Sequence, residues 1–403
     1  MAKILMTMPP LAGHINPALA VAAQLQARGH DVAWALHGAM AAERLPATAR
    51  LLSLPVDALQ LVESPREVRG LESVRFFYED FYLPLARGSL FPLEKVVRDY
   101  VPDLIFCDQQ MLAGAFVARK QGIPWLTSVT TTAPILKMSP QHDAWVAAKF
   151  RELESLYPLP ETVERPDFSP HGVIVFSSPE LIGAAHACFE ADYHFVGPAY
   201  GERVPQDDFP WQQLDSGRRK LLISLGTVSR DRGTRFYDVM MAALGDMDIQ
   251  VVMVAPAELA ARAPANFIVR PRVPQLELLP HMDAVICHAG HNTTCESLAQ
   301  GLPLIVAPIR DDQPVIARQI IDAGAGLFMR FGKVSAATAR ATVEQLLNDK
   351  VLKENAERLA RSFAGLGGAE RAATIVESRL TKVESQLQSS EALTERGTQH
   401  VLC

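Results

Sequence analysis

Residues Arg272 to Gln313 read RVPQLELLPHMDAVICHAGHNTTCESLAQGLPLIVAPIRDDQ, and the order of apolar and polar residues within them decides the fold class. Ala284 to Cys287 is a short apolar run suited to a buried parallel strand, and His288-Ala289-Gly290-His291 interrupts it before the amphipathic segment Asn292 to Gln300. A strand therefore runs through a glycine turn into a helix. The first amides of that helix have no acceptor within it, and the helix dipole adds partial positive charge. An anion placed at Gly290, Asn292 and Thr293 is stabilised by on the order of 1 kcal/mol. Glu296 follows one helical turn after Asn292, on the same side, where a carboxylate can accept hydrogen bonds from a diol. A second strand, Leu304 to Ala307, ends at Pro308, and Asp312-Gln313 come just after it. Side chains with that mixed hydrogen-bonding capacity at a strand's carboxyl edge suit sugar hydroxyls.

His281, Cys287, His288, His291 and Cys295 crowd the same stretch and invite a zinc reading. Neighbouring residues on a strand point to opposite faces, which separates Cys287 from His288, and no C-x-x-C pair is present. No metal is expected.

A chain of 403 residues with 48% hydrophobic content can build two domains, each with its own core. Its 39 basic and 45 acidic residues leave a net charge of -6, which argues against a nucleic-acid partner. No run of about 18 apolar residues occurs, and the start MAKILMTMPP lacks the pattern of a secretory signal, so no transmembrane segment and a cytoplasmic location are expected. Five scattered cysteines fit free thiols in a reducing compartment. A monomer or weak homodimer is expected; pairing through Cys403 has nothing in its favour.

Working outward, Lys3 to Met8 is a strand candidate followed by the loop Pro9 to Pro17. Asn16 is a good N-cap and Pro17 sits at the favoured first position, predicting a helix from Pro17 to about Arg28 and placing His14 in the loop. Asp31 to Leu36 is the next strand. This strand-loop-helix-strand start is Rossmann-like but lacks G-x-G-x-x-G. Asp103 to Cys107 is a strand ending at Asp108, followed by a helix over 111–121 and a strand over 124–128. His14 and Asp108 thus lie at the carboxyl edges of different strands, where they can meet. A neutral imidazole there can take a proton while a carboxylate on its other nitrogen fixes the tautomer, and such transfer is worth about 10²–10⁴-fold in rate. Asp108 also reads as a helix cap. The aromatic stretch around Phe76, Phe77 and Phe81 reads either as helices packed on the sheet or as the wall of an apolar pocket.

Thr130 to Pro170 reads as helices and loops. Val173 to Phe176 and Phe195 to Gly197 close a first domain over 1–205, and the turn-rich segment 206–219 reads as a linker. A second domain, 220–383, opens with the strand Lys220 to Leu225 and a turn at Gly226-Thr227. Strands over 249–255 and 267–270 and helices over 234–244, 314–323, 335–347 and 352–363 complete an alternating pattern. The tail 384–403 is polar and reads as disordered.

The ordered set Pro274-Gln275, His281, His288-x-Gly290-x-Asn292-Thr293, Glu296, Gly301-x-Pro303, Pro308 and Asp312-Gln313 resembles the donor-sugar signature of the GT-B, family 1 glycosyltransferases, in the style of their bacterial macrolide and antibiotic branch. The resemblance implies two Rossmann-like α/β domains facing across a cleft, the acceptor on the first and a UDP- or dTDP-sugar on the second. It implies a diphosphate contact at His288, phosphate-binding groups at Gly290, Asn292 and Thr293, the ribose at Glu296, and sugar hydroxyls at Asp312 and Gln313. Thr227, Arg272, Val273 and Gln275 would complete the donor site, with Arg272 standing where an aromatic often stacks on the base. Gly13-His14-x-x-Pro17 matches the family's G-H-x-x-P motif. The resemblance makes His14 and Asp108 the catalytic pair, with inversion at the sugar carbon, no cofactor beyond the co-substrate donor, and a lipophilic small-molecule acceptor lined by rings such as Phe76, Phe77 and Phe81. A nucleotide-sugar-modifying enzyme such as an epimerase, and a non-catalytic nucleotide-sugar-binding protein, are the alternatives.

Overall fold

The computed structural model describes residues 1–38, 44–55, 71–136, 139–161, 163–183, 192–201, 209–226 and 233–380. Thr227 and the tail 384–403 lie outside these residues.

Thirteen strands among the described residues form two sheets, and every pairing is parallel. The first contains β1 (Lys3–Thr7), β2 (Asp31–His37), β3 (Arg50–Leu54), β4 (Leu104–Asp108), β5 (Trp125–Val129), β6 (Val173–Val175) and β7 (Tyr193–Phe195), in the order β3-β2-β1-β4-β5-β6-β7. The second contains β8 (Arg219–Ser224), β9 (Ile249–Val254), β10 (Phe267–Arg270), β11 (Ala284–Cys287), β12 (Leu304–Val306) and β13 (Gly326–Phe328), in the order β10-β9-β8-β11-β12-β13. Both orders reverse direction once, between β1 and β4 and between β8 and β11. A crevice opens at such a point because the connections on either side leave in opposite directions.

Apolar runs such as KILMT, LIFCD and AVIC are buried on both faces because helices cover both sides of each sheet. Ile4, Met6, Trp34 and Phe106 pack on one face of the first sheet; Leu5, Ile105, Phe116 and Trp125 pack on the other. The second sheet repeats the arrangement, with Leu221, Ile223 and Ile286 on one side and Leu222, Val285 and Leu304 on the other.

Three expectations change. The first helix runs from Ala12 to Ala27 with Pro17 inside it, so His14 occupies the first helical turn and Asn16 is not the cap. Pro17 lies beyond the first four amides of this helix, so it forfeits one intrahelical bond, the one to the Gly13 carbonyl. Residues 368–380 form a helix that returns to the first lobe: Ala369, Ala372, Ala373, Ile375 and Val376 join its core, and Glu377 meets Arg28 at 2.6 Å and His30 at 3.1 Å. Its apolar stripe has nothing to cover on the second sheet, whose faces are already packed. Finally, Phe209 is buried in the second lobe, and the Gln250 side chain holds Asp215 N at 2.8 Å and Gln213 O at 2.7 Å. The described end of the linker is therefore bound to the lobe that follows it.

Candidate active site

The carboxyl edges of the two sheets meet. On the first, His14 comes from the first turn of the helix that follows β1 and Asp108 from the end of β4, the strands flanking the reversal of order. His14 Nδ1 lies 3.0 Å from Asp108 Oδ1, with Asp108 fully buried and His14 nearly so. The Asp108 carboxylate also accepts from Gln110 N at 2.8 Å, while the cap position of the next helix is taken by Met111. The carboxylate therefore faces the imidazole and does not cap the helix. Sequence reasoning missed Thr130, whose Oγ1 lies 2.6 Å from His14 Nδ1 and 3.1 Å from Asp108 Oδ2. The signal was available, since Thr130 directly follows β5, the strand paired with β4.

On the second sheet, His288 follows β11 and stands against two glycines. A Cβ at Gly226 would fall 2.6 Å from its ring, and one at Gly290 would fall 2.5 Å from it. Burial lowers its pKa to about 4 although the nearby Asp312 carboxylate pulls the other way, so the ring is neutral near pH 7. Gly290 caps the helix His291–Ala299. The backbone is left-handed at Ala289 (φ 63°) and again at Asp311 (φ 56°). A conformation of that kind costs about 1–3 kcal/mol in a residue with a Cβ, and two instances flanking one site mark a backbone held in place by its surroundings.

Gln275, Thr293 and Glu296 come together. Gln275 donates to Glu296 at 2.6 Å and approaches Thr293 Oγ1 at 3.5 Å. The Gln313 side-chain oxygen accepts from Ile309 N at 2.8 Å and Arg310 N at 3.1 Å, shaping the loop that carries Asp312. Arg272 is exposed. The Val273 side chain is packed in the core of the second lobe, which leaves only its backbone to face a ligand.

The lobes touch through these same residues. Asn292 donates to Gly13 O at 2.8 Å, Thr131 donates to Asp312, Thr132 donates to Gln319 at 2.9 Å, and His291 Nε2 lies 3.1 Å from Phe176 O. Pro17, Phe176, Pro198 and Ala199 from the first lobe and Asn292, Cys295 and Glu296 from the second line one pocket between them.

The aromatic residues divide. Phe81 is a core residue, so its expected place on a pocket wall is corrected: its ring fills the space between helix and sheet. Phe77 is partly buried and stacks on Tyr82 at 5.6 Å, within a π-helical turn over Phe77–Tyr82. The Tyr82 hydroxyl donates to Gln109 O at 2.7 Å, tying this cluster to the residue after Asp108. Phe76 is partly buried.

Residues 238–376 match the family model described as the erythromycin biosynthesis protein CIII-like, C-terminal domain. The chain is 29% identical to the NDP-glycosyltransferase YjiC of Bacillus subtilis (strain 168), over 93% of this chain and 96% of that protein. It is 28% identical to the demethyllactenocin mycarosyltransferase of Streptomyces fradiae, over 94% of this chain and 87% of that one. Among solved structures it resembles the glycotransferase of kitacinnamycin, with a TM-score of 0.76 and 25% identity over 94% of this chain and 99% of that one. Two parallel Rossmann-like lobes meeting at their carboxyl edges, together with these relatives, define a glycosyltransferase of the GT-B fold. Within that class, its relatives support a family 1 glycosyltransferase. Among the described residues, no helix is long and apolar enough to cross a membrane.

Proposed function

We propose that the protein transfers a hexose from a UDP- or dTDP-sugar to a hydroxyl of a lipophilic natural-product acceptor, with inversion and without a metal. The observation that carries this reading is the buried His14–Asp108 pair at 3.0 Å, next in sequence to the Gly13 carbonyl that Asn292, in the helix beginning at His291, reaches at 2.8 Å. Asp108 occupies Nδ1 and leaves Nε2 to take the acceptor's hydroxyl proton. The acceptor oxygen forms a bond to the anomeric carbon from one side while the bond from that carbon to the diphosphate oxygen breaks on the other. The carbon is inverted and the nucleoside diphosphate departs with the bonding pair. Charge developing on it falls against the first amides of the helix, the neutral His288 ring and the backbone at Gly290, a set of hydrogen-bond donors that stabilises an anion without a cation. Glu296 with Gln275 would hold the ribose, and Asp312 the sugar. A buried acid-base pair has no use in a protein that only binds nucleotide sugars, which disfavours the binding-protein reading. Acceptors similar to the macrolide class are suggested by relatives such as the demethyllactenocin mycarosyltransferase. Three buried free thiols among the described residues, Cys107, Cys287 and Cys295, fit a cytoplasmic enzyme.

A matrix of UDP- and dTDP-sugars against phenols, macrolides, sterols and carotenoids, read by mass spectrometry, tests the proposal. Acceptor-dependent release of the nucleoside diphosphate with a product one hexose heavier is expected. Interconversion of the sugar with no acceptor present would point to an epimerase instead.

A further inference from the structure

We propose that Thr130 is a positioning residue for His14, an inference that rests on the general-base reading above. The three side chains form a closed triangle. Asp108 Oδ1 lies 3.0 Å from His14 Nδ1 but also accepts from Gln110 N at 2.8 Å, so its capacity is shared. The Thr130 hydroxyl is 3.1 Å from Asp108 Oδ2, a carboxylate oxygen that can only accept, and it therefore donates its proton there. That leaves the hydroxyl oxygen, 2.6 Å from His14 Nδ1, to accept the ring proton. His14 Nδ1 is held as N–H by two acceptors in different directions, which sets both the tautomer and the tilt of the ring. Thr130 and Asp108 are both buried, so water does not compete for these bonds.

The backbone around Thr130 is anchored from both lobes. β5 fixes it from one side, and the next two residues reach the second lobe through Thr131 to Asp312 and Thr132 to Gln319. The hydroxyl that orients the base thus sits one residue from the one that touches Asp312.

The test compares Thr130→Val, which keeps the shape and removes the hydroxyl, with Thr130→Ser, which keeps the hydroxyl. Turnover is measured with the donor and acceptor pair that yields product in the matrix, and UDP and dTDP binding by calorimetry. Thr130→Val is expected to lower kcat about 10- to 100-fold, in keeping with loss of a hydrogen bond to a group that becomes charged, with donor KM within twofold of wild type and a single cooperative unfolding transition retained. Thr130→Ser is expected to recover kcat to within threefold. Independently of turnover, ¹⁵N spectra of histidine-labelled protein should show the His14 Nδ1 resonance shifted in the valine variant and restored in the serine variant. Wild-type kcat with an unmoved resonance overturns the inference, as do equal losses in both variants or a loss confined to donor KM, which would assign the hydroxyl to the sugar. If His14→Ala keeps full activity, the general-base reading itself fails; if His14→Ala is inactive while Thr130→Val is unaffected, only this inference does.

Discussion

Asn292 donates its side-chain amide to the carbonyl of Gly13, which receives no N–H from Pro17 four residues on. In an α-helix the oxygen of residue 13 accepts from the nitrogen of residue 17, which here is Pro17 and carries no N–H. The proline opens an acceptor one residue before His14, and the second lobe fills it. Expected to supply a phosphate contact, Asn292 also latches the two lobes. Asn292→Ala should weaken nucleoside diphosphate binding about fivefold, the value of a hydrogen bond of roughly 1 kcal/mol. Pro17→Ala restores a helical donor to Gly13 O, so the Asn292 substitution should have less effect in that background. A double-mutant cycle read by calorimetry checks this; strictly additive losses would refute the link.

His14→Ala should reduce kcat by about 10²–10⁴-fold while leaving UDP or dTDP affinity within a fewfold of wild type. Asp108→Asn should give a comparable loss, because an amide can offer N–H to Nδ1 and so favours the tautomer that protonates Nε2. Steady-state kinetics with parallel binding measurements checks both. A rate within fivefold of wild type for His14→Ala would remove the imidazole from the chemistry.

Burial holds His288 at a pKa of about 4, below its ordinary 6.5, and lowers that of His291 for the same reason. As pH falls from about 6.5 towards 4 the unfolded chain binds a proton that folded His288 refuses, so the folded state loses stability across this window and keeps it above. Wild type should lose stability relative to His288→Asn as pH is lowered through the window, with the gap constant above pH 7. Denaturant unfolding at stepped pH measures it. A gap independent of pH from 4 to 7 would contradict the assignment. A bound diphosphate should favour the imidazolium, making donor binding at about pH 5 take up protons from buffer.

Gly290→Ala adds a Cβ 2.5 Å from the His288 ring, closer than nonbonded atoms approach. The imidazole is partly buried and sits between two glycines, so the ring or the helix N-terminus must move. Overpacking of this kind typically costs about 1–3 kcal/mol. Donor affinity should fall at least tenfold while acceptor affinity stays near wild type. Equal donor affinity in variant and wild type would show that neither the ring nor the amides beside it touch the nucleotide.

Much of the second lobe was legible in the chain itself. The strands Phe267–Arg270 and Ala284–Cys287 and the helix Thr234–Leu244 lie where the sequence places them, because uninterrupted apolar runs and helical periodicity are local signals. The order Gln275, His288, Gly290, Thr293, Glu296 likewise identified residues that share one edge. Less visible were β3 and β13, short edge strands with little apolar run to mark them, and the π-helical turn over Phe77–Tyr82.

Sequence alone determined the two-lobed parallel architecture and that His14 and Asp108 lie on one edge where they can meet, since strand polarity places the end of every parallel strand on the same rim. Only the tertiary structure could decide what joins that pair. Thr130 enters the triangle through a third strand, Asn292 spends its amide on a carbonyl that a proline in the other lobe releases, and the helix over 368–380 closes the core of a lobe whose last strand ends at Phe195. These contacts depend on which surfaces remain uncovered once both sheets are packed, a property of the assembled chain that no local run of residues encodes.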